Sequence, residues 1–254
     1  MNCFRSFLII ILSLTFIVTA CSTPSSSAEL HIQTAASLTE AFTELKETYE
    51  ANHENITLVP NFGSSGTLKH QIEQGAPADL FLSAAAKEMN DLEEQGLIKK
   101  QQPLLRNKLV LITHKDSDFE RADLQILLDD KITRIAIGQP ETVPAGQYAM
   151  ETLKTLHLWD ELQPKLIFGN DVRQVLTYTE TKNVDAAFVY QTDAVASETV
   201  DIIAEAPSDS HEPIIYPIGL LQQSTNPEEA EAFYEWLTSD EALEILQKYG
   251  FEGA

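Results

Sequence analysis

The sequence predicts an α/β protein of two lobes, each a mixed, mostly parallel sheet flanked by helices. Three observations predict it. From Glu29 onward, short apolar runs alternate with helical patterns. That rhythm runs once before Lys108 and again after it, and a late β run, "IIYPIGLL", is placed to return the chain to the first lobe before a closing helical segment. With 254 residues, 43% hydrophobic and 22% charged, there is room for one large or two modest domains.

Each element follows from its own pattern. "ELHIQTAA" reads as the first strand, and Ser37 to Asn52 carries Leu38, Phe42, Leu45 and Tyr49 at helical spacing. "ITLVPNF" is a strand, Leu68 and Ile72 mark a short helix ended by Gly75, and "DLFLSAA" is a strand leading to a helix from Lys87 to about Gln95. The second round opens with "KLVLITH", Lys108 to His114, and a helix around Leu124 to Leu128. It continues with "RIAIGQP", a helix from Pro144 to about His157, "KLIFGN", a helix from Val172, and "AAFVYQTDA". Two further β runs, "VDIIAEAP" and "IIYPIGLL", precede a helical ending capped by Asn226 with Pro227 in its first turn. The expected division is residues 29–107 plus 218–254 for lobe I and 108–217 for lobe II.

The N-terminus has a different character. Residues 1–20 hold one cation, Arg5, and an apolar run from Phe7 to Val18, too short to span a bilayer and laid out like a secretory signal. "VTAC" resembles the lipobox of bacterial lipoproteins, which makes Cys21 the expected lipid-bearing residue and residues 21–28 a polar tether. The rival is an ordinary signal cleaved near Ala28. Cys3 and Cys21 are the only cysteines, so the folded part is expected to hold no disulfide and no thiolate metal site.

Charge narrows the partners. The formal net charge of −22 becomes −23 once Arg5 is removed, which argues against nucleic acid. A small anion is not excluded, because exposed charges beyond about 8 Å are largely screened at physiological salt. Local donors decide.

Ligands of open α/β sheets sit outside the carboxyl ends of strands, so the loops after "IQTAA", "VPNF", "AIGQP", "IFGN" and "AFVY" are the ones to search. After the first, "SLTE" is a capping box in which Ser37 caps and Glu40 reaches back. A hydroxyl has one donor and two acceptor sites, so Ser37 can cap and still offer a proton to an anion. In "GSSGT", Ser65 is the ligand-facing candidate, with Ser64 holding the turn and Gly66 allowing close backbone approach. In "VPAGQYAM", Pro144 at the first helical position leaves the N–H of Ala145 exposed at the positive helix end. In "NDVRQVL", Asn170 or Asp171 caps and Val172 offers an N–H. Tyr190 closes the strand "AAFVY" with a phenol able to donate across a cleft. Taken singly, each feature is more often structural than functional. Four helix starts on four sheet-edge loops point together to anion binding.

"TAASLTEAF", "GSSGTLKHQIEQGAPADLFLSA", "VPAGQYAMETL", "NDVRQVL", "FVYQTDA" and "KYGF" resemble, in order from about Glu29 to Phe251, the molybdate-binding proteins of bacterial ABC importers. The resemblance implies a periplasmic-binding-protein fold of type II that closes around molybdate or tungstate. It implies binding by Ser37 and Ser65 through hydroxyl and backbone N–H, by Ala145 and Val172 through backbone N–H, and by Tyr190 through its hydroxyl. No cofactor and no enzymatic activity are expected. Molybdenum would be held through its oxygens without direct ligation by the protein. The implied partners are an ABC permease and its ATPase, and the implied state is a monomer outside the cytoplasm, lipid-anchored to the outer face of the cytoplasmic membrane or periplasmic. The family often has a further Ser or Ala where this chain has Gly63 or Gly66, and Arg173 is read as a cation outside the ligand contacts. The rival readings are a protein of this fold for another oxyanion such as sulfate, a serine hydrolase built on Ser64 or Ser65 with His70 as base, and a purely structural lipoprotein. Against the hydrolase, the chain has no G-x-S-x-G elbow, and Lys69 lies four residues after Ser65, outside the S-x-x-K spacing.

Overall fold

The computed structural model describes residues 27–254, so the expected signal segment and Cys21 lie outside the described residues. Ala28 is already the buried first residue of β1, which shortens the expected tether by one residue. In chain order the first half comprises β1 (Ala28–Ala35), α1 (Thr39–Asn52), β2 (Ile56–Gly63), α2 (Ser65–Glu73), β3 (Leu80–Leu82), α3 (Ala86–Glu94) and β4 (Ile98–Arg106). The second comprises β5 (Leu109–His114), β6 (Ile135–Gly138), α4 (Pro144–Thr155), α5 (Trp159–Leu162), β7 (Leu166–Gly169), α6 (Val172–Glu180), β8 (Ala186–Tyr190), α7 (Gln191–Ala196) and β9 (Val200–Glu205). The chain closes with β10 (Ile215–Leu221), α8 (Pro227–Trp236), α9 (Asp240–Lys248) and β11 (Glu252–Gly253).

Two sheets result, ordered β11-β4-β10-β3-β1-β2 and β7-β6-β8-β5-β9. They are mixed, as expected, but less parallel than the sequence rhythm suggests. β1 pairs in parallel with β2 and β3, and β6 with β7 and β8, while β10 and β5 run antiparallel to both of their neighbours. The antiparallel strands are those next to the points where the chain passes between sheets. A strand that enters a sheet from the other lobe is not bound to the right-handed crossover that makes βαβ units parallel.

The core is built from the periodicities that predicted the helices. Phe42, Leu45 and Tyr49 of α1 are fully buried, and Phe42 and Tyr49 pack edge-on against Phe233 of α8, with ring centroids 6.3 and 4.7 Å apart. This contact seats the C-terminal helices on the first sheet. β5 and β8, lying inside the second sheet, are almost wholly buried and read as continuous apolar runs.

Three elements differ from the pattern reading. β4 was invisible because "IKKQQPLLR" shows no apolar alternation; it is held by backbone ladders to β10 and β11 while several of its side chains face solvent. The single helical ending is two helices, broken so that Ser239 caps α9 through its Oγ, which accepts from Ala242 N–H at 3.3 Å. Asn226 occupies the position before α8, but its side chain does not cap; its Nδ2 donates to the Glu29 carbonyl at 2.9 Å.

Candidate functional site

All five residues singled out in the sequence line one small cavity between the two sheets. Ser37 follows the carboxyl end of β1, Ser65 that of β2, Ala145 the loop after β6, Val172 the loop after β7, and Tyr190 ends β8. Each is at least 94% buried.

The backbone at these starts has donors to spare. At α2, Ser64 Oγ accepts from Thr67 N–H at 3.4 Å, Leu68 N–H donates to the Ser64 carbonyl, and Gly66 N–H donates to the Thr142 carbonyl at 2.9 Å. Ser65 N–H is left without an acceptor among the described residues. At α4, Pro144 has no N–H, while Gly146 and Gln147 donate to the Val143 carbonyl; Ala145 N–H is left over. At α6 the cap is Asp171, whose Oδ1 accepts from Gln174 N–H at 2.8 Å, and Val172 N–H is left over. Ser37 N–H likewise has no acceptor among the described residues. Buried N–H groups without partners are rare in proteins, and four of them belong to residues that line one cavity, which makes it rich in donors.

Ser37 is a correction to the capping reading. The chain leaves β1 through a 3-10 turn, Ala36–Leu38, so the residue before α1 is Leu38, which has no side-chain cap. The Ser37 hydroxyl is hydrogen-bonded to Tyr216 OH at 2.9 Å, and the Glu40 carboxylate pairs with Arg173. Neither is spent on the helix end. Ser65 lines the cavity, and its Oγ accepts from Ala84 N–H at 2.9 Å, which leaves its own proton to give.

Two glycines make the close approach possible. A Cβ on Gly66 would lie 2.6 Å from the Thr142 carbonyl oxygen, so only glycine lets the two backbones hydrogen-bond across the gap between the sheets. A Cβ on Gly146 would lie 1.9 Å from the Gly138 carbonyl oxygen, which is how the start of α4 can press against the end of β6.

Sequence reasoning missed three neighbours. Tyr216 lies in β10, and its ring packs edge-on against Tyr190 with centroids 5.6 Å apart. Asn107 donates from Nδ2 to Tyr216 OH at 3.3 Å and to Thr192 Oγ1 at 2.9 Å. Asp193, in α7, is fully buried; its Oδ2 accepts from Tyr190 N–H at 3.3 Å and its Oδ1 lies 3.8 Å from Arg173 Nη1. No signal in a single sequence marks these long-range contacts.

Burial sets the protonation of the cavity wall. It pushes the phenols of Tyr190 and Tyr216 well above their ordinary value, so both remain proton donors at any physiological pH. Tyr190 OH is buried and has no hydrogen-bond partner among the described residues. Burial also raises the Asp193 carboxyl from its ordinary 3.8 to about 7, opposed by Arg173 and the Tyr190 N–H. Arg173 reaches Glu40 with one nitrogen and approaches Asp193 with the other, and it is not among the residues that line the cavity.

The hydrolase reading finds no base. His70 is paired with Glu73 at 2.9 Å on the exposed side of α2, Lys69 is paired with Asp91 at 2.8 Å, and Ser64 Oγ donates to Thr67 Oγ1 at 2.8 Å. No group of three or more metal-ligating side chains gathers among the described residues.

Comparison with known proteins agrees with this architecture. Residues 30–252 match the family of bacterial extracellular solute-binding proteins, and the chain belongs to that family. It is 44% identical over 258 residues, covering 98% of both chains, to a Bacillus subtilis (strain 168) protein provisionally named as the ABC transporter substrate-binding lipoprotein YvgL. It is 38% identical to the molybdate-binding protein ModA of Escherichia coli (strain K12), covering 89% of this chain and 90% of that one. The solved periplasmic molybdate-binding protein of Azotobacter vinelandii superposes with a TM-score of 0.78 at 25% identity, covering 87% of this chain and 98% of the other.

Proposed function

We propose that this solute-binding protein captures molybdate, and tungstate with it, between its two lobes outside the cytoplasm and delivers the anion to an ABC importer. The observation that carries the reading is the convergence of leftover donors on one cavity: four backbone N–H groups, the Ser37 and Ser65 hydroxyls and the Tyr190 phenol. Ser37, Ser65, Ala145, Val172 and Tyr190 are the proposed ligand residues; the proposed lobe I is residues 28–107 plus 215–254 and lobe II residues 108–214, because β10 pairs with β4 of the first sheet from Ile215 onward and not from residue 218. Lipidation of Cys21, anchoring at the outer membrane face and a monomeric state belong to the same proposal and rest on the sequence reading.

A neutral cage has enough strength. Seven donors at about 1.5–3 kcal/mol each for hydrogen bonds to a charged group give roughly 10–20 kcal/mol before desolvation and closure costs. One nanomolar corresponds to about −12 kcal/mol. Full charge on the ligand is what such a cage selects, because a protonated oxyanion brings an O–H that finds no acceptor.

Titration calorimetry of residues 27–254 with molybdate, tungstate, sulfate and phosphate tests the reading. Molybdate and tungstate are expected to bind tightly and phosphate weakly. Sulfate binding more tightly than molybdate would transfer the assignment to another oxyanion.

A further inference from the structure

We infer that Tyr216 and Asn107 are positioning residues that fix the polarity of the Ser37 hydroxyl, so that Ser37 meets its ligand only as a proton donor. This rests on the oxyanion reading above and deepens it by naming what sets selectivity against protonated anions.

The orientation can be traced from one end. Asn107 Oδ1 accepts from Lys108 N–H at 2.9 Å, which fixes the amide so that Nδ2 faces Thr192 and Tyr216. Nδ2 can only donate, so Tyr216 oxygen accepts from it. The Tyr216 proton then needs an acceptor, and the one within reach is Ser37 Oγ at 2.9 Å. Ser37 therefore receives a hydrogen bond from behind, and its own proton is turned toward the cavity it lines. The reverse polarity would leave the Tyr216 proton without an acceptor in a fully buried place, which is unfavourable. The same logic operates independently at Ser65, whose oxygen accepts from Ala84 N–H at 2.9 Å. Both serines are thus held as donors by groups of the protein itself, the Tyr216 phenol and the Ala84 N–H.

Tyr216→Phe removes the back-donation with little change of shape. Calorimetry should show molybdate binding weakened roughly three- to tenfold, the effect of one neutral hydrogen bond. Inorganic phosphate at pH 7.5 should lose less or gain, because a Ser37 lone pair becomes available to its O–H. In a Ser37→Ala background, Tyr216→Phe should change molybdate affinity by less than about twofold, since the route to the ligand is gone. Equal losses in both backgrounds would overturn the inference and leave Tyr216 a packing residue. A readout without ligand tests the polarity itself: the Tyr216 hydroxyl proton should appear in NMR spectra as a slowly exchanging resonance with a cross-peak to the Ser37 β protons. A serine hydroxyl resonance in its place would refute the assignment. A wild-type chain that gives this resonance and yet no heat with molybdate would sink the ligand reading and leave the polarity standing.

Discussion

On the wall of the cavity contributed by the first sheet, the Ser37 and Ser65 hydroxyls each hold a protein partner, Tyr216 and Ala84. On the facing wall the Tyr190 phenol holds none among the described residues. The first wall is oriented in advance. The second carries a buried O–H whose desolvation is uncompensated, a cost of about 1–3 kcal/mol that an anion oxygen would relieve. The difference teaches how the two walls would share the proposed work: the first offers hydroxyls already oriented by the protein, and the phenol opposite would gain its hydrogen bond only when an anion oxygen arrives.

The largest expected effect comes from keeping the walls apart. Gly66→Val places side-chain atoms where the Thr142 backbone approaches, and molybdate binding should weaken by about 3 kcal/mol or more in calorimetry, with the circular dichroism spectrum unchanged. Unaltered affinity would mean that the two walls need not meet. Next come Ser37→Ala and Ser65→Ala, each expected to cost about 1.5–3 kcal/mol, the value of a donor to a charged group. If both leave affinity intact, the cavity is not the binding site. Tyr190→Phe should act more weakly and through a different rate: stopped-flow measurements should show faster dissociation with nearly unchanged association. An effect confined to association would reverse the roles given to the two walls.

The last prediction concerns stability and not binding. Asp193 binds its proton more tightly folded than unfolded, about 7 against 3.8, so the folded chain holds the extra proton between those values. Its contribution is neutral below about pH 4, becomes unfavourable as pH rises through that window, and is fully unfavourable above about pH 7. Asp193→Asn should therefore raise the melting temperature more at pH 8 than at pH 5. Equal shifts at both would show that Arg173 already compensates the charge.

Much of this was legible in the sequence because it is local. The spacing of Leu38, Phe42, Leu45 and Tyr49 fixes a helix face, Pro144 fixes how α4 begins, and the rule about strand ends gathers five loops into one place. What escaped depended on distant partners. "SLTE" satisfies the rule for a capping box, yet Ser37 is engaged by a tyrosine 179 positions away and Glu40 by an arginine 133 positions away. β4 escaped for a related reason, since its place is secured by ladders to strands that come more than a hundred residues later.

The two passages of chain between the sheets differ in length: residues 107–108 make one, residues 206–214 the other. The long one is fastened to α4, where Ser210 Oγ donates to Thr152 Oγ1 at 3.1 Å, and the short one carries the side chain of Asn107. That side chain also steadies Tyr216. The shorter crossing thus places the link between the sheets directly beside the hydrogen bond that lies behind Ser37.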